Sequence, residues 1–188
     1  MFDIPEEWTI QINTIRKKFP DAVIAGGCLR DLFTGQAEHI KDIDVFLPMS
    51  TEAEVTEYIN LERPDQIIIN KMTNYGNMAN DDVTAVFSTN ITAGDTPIEF
   101  IAVNVTPDNV LTRFDFGICQ IQYDGTLVSY TDQFAQDLAN KQFTIVRADN
   151  HDQFNRTRKR FERLTSAKYK DYTLNLGDFA SFISEDLL

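Results

Sequence analysis

The chain has 188 residues, 43% of them hydrophobic and 24% charged, with a formal net charge of −12. That length suits one domain, or one domain with a small helical appendage, around an ordinary apolar core. The charge argues against extended, non-specific gripping of nucleic acid, and no apolar run is long enough to cross a bilayer, which excludes a membrane role. The start, MFDIPEEW, lacks the charged and apolar regions of a signal peptide. Two cysteines, Cys28 and Cys119, both stand in apolar surroundings that suit buried free thiols, so a reducing cytoplasm is the expected setting.

Pro5 to Phe19 predicts an amphipathic helix, with Glu6 and Glu7 at its positive end and Arg16, Lys17 and Lys18 at its negative end. Trp8, Ile12, Ile15 and Phe19 fall on one face at helical spacing and read as core. Pro20-Asp21 then turns the chain into a short apolar strand, Val23-Ile24-Ala25. Gly26 and Gly27 follow at once, and Cys28 to Phe33 has helical spacing that ends near Gly35.

After a polar loop, Asp42 to Leu47 predicts a second strand with two carboxylates at its start. Side chains alternate across a strand, so Asp42 and Asp44 share one face, about 7 Å apart at the backbone. Ile43, Val45 and Leu47 then face the core. Glycines let a backbone come close to a phosphate, a helix start offers unpaired N–H groups, and paired aspartates can hold one or two Mg²⁺ ions. Singly, a Gly-Gly pair is commonly a turn and Asp-x-Asp commonly solvated charge. Joined in one short segment, they supply the pieces needed for phosphoryl or nucleotidyl transfer.

Gly26, Gly27, Arg30, Asp31, Asp42 and Asp44 form a Gly-Gly-x-x-Arg-Asp…Asp-x-Asp pattern. The segment resembles the first motif of the DNA polymerase β-like nucleotidyltransferase superfamily. More narrowly, it is similar to the head domain of class II tRNA nucleotidyltransferases and bacterial poly(A) polymerases. The resemblance implies an α+β fold with a mixed central sheet flanked by helices, and a C-terminal helical neck. It divides the chain into a head, residues 1–148, and a neck, residues 149–188.

Farther along, Ser50 to Val55 starts a helix, with Ser50 as candidate cap, that ends near Asn60. Gln66 to Ile69 predicts a strand, Asn70 to Asp82 a mobile polar loop, and Val83 to Phe87 another strand. Pro97 to Val103 reads as a buried strand with Glu99 in its middle, where a charge is costly unless paired or metal-bound. An outward-facing glutamate is the plain alternative. The family resemblance makes Glu99 the third acidic residue of the metal site.

Thr106 to Arg113 predicts a helix capped by Thr106, with Pro107 at its first position. Arg113-Phe114-Asp115-Phe116-Gly117-Ile118-Cys119 is similar to the family's second motif, Arg-Arg-Asp-Phe-Thr-Ile-Asn. Phe114, Gly117 and Cys119 depart from it. In the family this element positions sugar and triphosphate, which implies nucleotide contacts from Arg113 and Asp115. Ile118 to Tyr123 and Thr126 to Tyr130 alternate like paired strands, and Asp124-Gly125 signals a two-residue hairpin. Asp132, Phe134, Asp137, Leu138 and Lys141 also match the family in part.

Asp152 to Lys168 is helical by composition, with Phe154, Phe161 and Leu164 as its apolar side. Arg156, Lys159, Arg160 and Arg163 recur every three or four residues on adjoining surface. A solvated basic face is the plain reading. In an otherwise acidic chain the helix also resembles the family's neck, which presents arginines to the nucleotide. The family's Glu-Asp-x-x-Arg base reader has no full match; Asp152 with Arg156 is the nearest substitute. A short final helix is predicted from Asp178 onward.

The resemblance runs from about Val23 to Leu174 and stops where the body and tail domains of tRNA nucleotidyltransferases begin. It implies a minimal stand-alone transferase of the sort seen in phage and bacterial genomes. Asp42, Asp44 and Glu99 would hold two Mg²⁺ ions, and Gly26 and Gly27 would cradle the phosphates of an incoming NTP. Arg30, Arg113, Arg156, Arg160 and Arg163 would balance charge, and Asp31 would hold sugar or cap backbone. The acceptor hydroxyl is open: an RNA 3′ end, a protein or a small molecule. Two rivals stand beside this reading, a catalytically silent protein that binds nucleotides or RNA ends, and a protein-interaction module on the same fold.

Overall fold

Among the described residues seven strands pair into one sheet: β1 (Val23–Ala25), β2 (Ile43–Pro48), β3 (Ile68–Met72), β4 (Val83–Ala93), β5 (Thr96–Val103), β6 (Ile121–Tyr123) and β7 (Val128–Tyr130). Their spatial order is β3-β4-β5-β2-β1-β6-β7 in the computed structural model, which describes residues 3–62, 68–72 and 82–182. β2 and β5 run parallel, while the other neighbours are antiparallel, so the sheet is mixed as the sequence implied. β8 (Gln142–Thr144) and β9 (Thr173–Asn175) form a separate parallel pair. The β2–β5 register sets Asp44 opposite Glu99, and the β4–β5 register sets Ser88 opposite the same Glu99.

The helices are α1 (Glu6–Arg16), α2 (Gly27–Phe33), α3 (Glu52–Glu57), α4 (Asp132–Asn140) and α5 (His151–Ala167). α1 buries Trp8, Ile12 and Ile15 at the predicted spacing and puts Pro5 at its N-cap. These side chains join Ile24, Val45, Phe87 and Phe100 in one core against the sheet. α5 contributes Phe154, and Tyr169 just beyond its end, to that same cluster. On the other sheet face, Val23, Ala25, Val103, Val105 and Val110 make a small second cluster. Both cysteines are buried free thiols, as expected. Among the described residues no helix is long and apolar enough to cross a membrane.

Several predicted boundaries move for local reasons. Thr51, not Ser50, caps α3: its side chain accepts from the Glu54 N–H in a capping box, while Ser50 Oγ donates to the Leu47 carbonyl. α3 runs on as a π-helical turn, Tyr58–Glu62. The stretch expected as one helix over 106–113 is two 3-10 turns, Pro107–Asn109 and Leu111–Arg113, and Thr106 makes no side-chain cap bond. Gly117–Cys119 is a 3-10 turn rather than the start of β6. The hairpin loop spans residues 124–127 because Tyr123 pairs with Val128, and Asp124 Oδ1 accepts from the N–H groups of Thr126 and Leu127. β4 extends past the predicted Phe87 to Ala93. Residues 66–67, most of the predicted loop at 73–81, and the end of the predicted final helix at 183–188 lie outside the described residues; Gly177–Phe179 is a 3-10 turn.

Candidate active site

β2 alternates as predicted, with Ile43, Val45 and Leu47 buried and Asp44 half-buried on the opposite face. Asp42 lies just ahead of the strand and is exposed. Both aspartates line one cavity of about 600 Å³. Burial pushes the Asp44 carboxyl up to about 7, with help from the charges on Asp42 and Glu99 and opposition from Arg160 and Arg30. Asp42 is raised as well, first by partial loss of solvent around its carboxyl at the cavity and then by Glu99. The negative charges on this face therefore repel one another without full compensation.

Glu99 sits beside Asp44 in the sheet, and its carboxylate accepts a hydrogen bond from Ser88 Oγ. Among the described residues no three His, Cys, Asp or Glu side chains converge closely enough to hold a metal ion. The donor set still fits magnesium in kind, because the donors are hard carboxylate oxygens whose mutual repulsion a dication would relieve.

The two glycines have separate tasks. Gly26, the N-cap of α2, has φ of 83°, which favours glycine. Its N–H donates to the Ile121 carbonyl at 3.0 Å, so that group is committed to the sheet and not offered to a phosphate as expected. Phe114, which stands where the motif this segment resembles in nucleotidyltransferases has an arginine, packs over Gly26 and meets Phe46 edge-on at 5.4 Å. Gly27 does line the cavity.

Arg30 and Asp31 point inward from α2 and are 3% and 4% exposed. Arg30 Nε donates to Asp31 Oδ1 at 2.7 Å and to the Tyr169 hydroxyl at 3.1 Å, and Nη1 reaches Cys119 Sγ at 3.3 Å. Its guanidinium also lies over the rings of Phe143 and Tyr169. Asp31 accepts from the Tyr169 hydroxyl at 2.5 Å and pairs with Lys168. These bonds fasten α2 to the end of α5.

α5 forms the wall facing the carboxylates. Arg160, Arg163, Leu164, Ala167 and Lys168 line the cavity from that side. Arg160 Nη1 bonds Asp115 Oδ1 at 2.9 Å, and the Thr157 hydroxyl donates to Asp115 Oδ2 at 3.2 Å. Asp115 is thus a holder of α5 rather than a lining residue. Of the other sequence candidates, Arg113 pairs with Asp82, and Arg156 is exposed; neither is among the residues that line the cavity. The structure brings together Asp42, Asp44, Gly27, Arg30, Asp31, Arg160 and Arg163.

Residues 4–141 match the family described as Gabija anti-defense 2 family protein. The chain belongs to the Gabija anti-defense 2 family. The family match ends before α5, but likeness in fold does not. The chain superposes on a tRNA-processing enzyme in an apo form with a TM-score of 0.64 and 18% identity, over 98% of this chain and 48% of that one. The Bacillus stearothermophilus CCA-adding enzyme in complex with CTP gives 0.62 and 16%, over 97% of this chain and 44% of that one. The Thermotoga maritima CCA-adding enzyme complexed with tRNA gives 0.62 and 17%, over 98% and 43%. This Gabija anti-defense 2 protein therefore has the α+β nucleotidyltransferase fold and spans less than half the length of those three enzymes. No curated protein matches it in sequence.

Lys168 and Tyr169 were not among the residues singled out from the sequence of this family member. Lys168 closes the stretch from Asp152 that reads as a basic helix, and that is a usable signal. Tyr169 gave none, because its bonds to Asp31 and Thr34 cross 138 and 135 residues of sequence.

Proposed function

We propose that this chain is a magnesium-dependent nucleotidyltransferase that moves a nucleoside monophosphate from an NTP to an acceptor hydroxyl. The observation that carries the reading is the pair Asp42 and Asp44 on one strand face, opposite the cationic wall of α5 across a cavity large enough for a nucleotide. Asp42 and Asp44 are the two residues that would hold magnesium first, and Glu99, beside Asp44 in the sheet, would join them only by turning its carboxylate toward the cavity. Bound there, the ion would supply charge neutralisation and a lowered pKa for the acceptor hydroxyl.

The chain's own residues do the rest. Arg160, fixed by Asp115, and Arg163 present positive charge to the donor's phosphates. Arg30 is committed to Asp31, so its part is to hold α2 and the α5 end in place and to lend charge through the cavity wall. The new bond joins the acceptor oxygen to the α-phosphorus, the bond to the β-phosphate oxygen breaks, pyrophosphate leaves and the hydroxyl proton passes to solvent. The division into a head over 1–148 and a neck over 149–188 belongs to the same proposal. So do a phage or bacterial type and a cytoplasmic setting, which suits the two buried thiols.

The family's name directs the search for the acceptor toward Gabija, and its components join RNA ends as candidates. The test uses each α-labelled NTP with Mg²⁺, offered total RNA, purified Gabija proteins and cell extract in separate reactions. Label should appear on one acceptor class with release of pyrophosphate, and vanish in the Asp42→Ala/Asp44→Ala double variant. No label with any nucleotide, despite stabilisation by NTP and Mg²⁺, would assign the chain to silent nucleotide binding.

A further inference from the structure

Asp31 is 4% exposed and faces two cations. Arg30 Nη2 lies 2.6 Å from Oδ1, and Lys168 Nζ pairs with Oδ2. The other polar neighbours add no negative charge: burial raises the Cys119 thiol and the Tyr169 hydroxyl, so both stay neutral. One carboxylate thus balances one of two positive charges. Lys168 and Arg30 also act on Asp42 and Asp44 across the cavity, and with magnesium taking up those carboxylates the cluster keeps a surplus of one at the cavity wall. Burying a charge without a counter-charge is costly, so a surplus held beside a cavity favours an anion there.

The other cations of the cavity are placed differently. Arg160 is matched by Asp115. Arg163 and Lys41 are exposed, where water and salt screen them. The Lys168 side chain is only 12% exposed and is held by Asp31, so it meets a ligand already oriented and partly desolvated. Lys168 also acts electrostatically on Asp42, across the same cavity.

We propose that Lys168 binds the outer phosphates of the donor triphosphate. The inference rests on the nucleotidyltransferase reading and adds a residue to it. Lys168 meets the leaving pyrophosphate portion, and its charge distinguishes a triphosphate from a monophosphate. Asp31 keeps Arg30 and Tyr169 when Lys168 is shortened, so the α2–α5 joint survives the substitution.

The test is calorimetric titration of the full chain with each NTP and its NMP in the presence of Mg²⁺, for the wild type, Lys168→Ala and Lys168→Arg. A charge-assisted contact to phosphate of ordinary strength predicts a loss of about tenfold or more in NTP affinity for Lys168→Ala. NMP affinity should stay unchanged, and Lys168→Arg should restore most of the preference for triphosphate. Equal losses for NTP and NMP would mean a structural role and overturn the proposal, as would an unchanged ratio. A wild type that binds no nucleotide would sink the transferase reading itself, and this inference with it.

Discussion

Phe114 occupies the space that a side chain on Gly26 would need: a Cβ there would fall 2.5 Å from the Phe114 ring. The pair joins the first sequence motif to the second and requires position 26 to carry no side chain. Gly26→Ala meets both this clash and a backbone with φ of 83°. The cost is expected to be about 2–4 kcal/mol, read from the shift in urea midpoint. Adding Phe114→Ala should recover part of the loss, since it removes the clash and leaves the backbone strain; full additivity of the two losses would refute the contact.

Asp44 gives a pH dependence whose sign can be worked out. Its folded value is raised to about 7, above the usual carboxylate range, by burial and by Asp42 and Glu99. The stability this group contributes is therefore fully present below the unfolded value of about 4 and is lost as pH rises through about 7. In chelator the melting temperature should fall between pH 5 and pH 8, and Asp44→Asn should flatten that slope. Mg²⁺ should stabilise the wild type more at pH 8 than at pH 5. An equal slope in Asp44→Asn would mean the charge is relieved some other way.

The carboxylate face was legible because it depends on local alternation: Ile43, Val45 and Leu47 inward sets Asp42 and Asp44 together whatever the rest of the chain does. β1 was legible for a similar reason, as a short apolar run closed by glycines. The stretch over 106–113 misled because Thr-Pro is a sound helix start, yet Val110 is drawn into the small cluster and breaks the segment into two turns. α4 had a readable signal in Thr131, whose Oγ1 accepts from the Phe134 N–H as an N-cap. The clasp of Arg30, Asp31, Lys168 and Tyr169 could not be read locally, since Asp31 and Lys168 are 137 residues apart.

Gly117 stands where the related motif has threonine, and the packing shows why threonine does not fit. A Cβ there would fall 2.3 Å from Gln133 Cγ and 2.8 Å from Asp137 Oδ2. Asp137 cannot yield readily, because it is fully buried and accepts from both the backbone N–H and the hydroxyl of Thr144. Gly117→Thr, though it restores the motif, is expected to destabilise the protein by about 1–3 kcal/mol in chemical denaturation. A neutral result would show that α4 can shift away.

Tyr169 holds the α5 wall of the site to α2 through one oxygen. Its hydroxyl donates to Asp31 at 2.5 Å, lies 2.9 Å from Thr34 Oγ1 and accepts from Arg30 Nε at 3.1 Å. Tyr169→Phe keeps the ring among Phe143 and Tyr172 and removes only these bonds, leaving a buried carboxylate short of one donor. The expected loss is about 1–3 kcal/mol in global stability. The sharper readout is local: amide exchange along residues 151–167 should quicken more than exchange in β2 and β5, because the clasp secures the end of α5 while the sheet pairs independently. Uniform quickening across sheet and helix would mean that Tyr169 serves the whole core alike and that α5 is held by its apolar face alone.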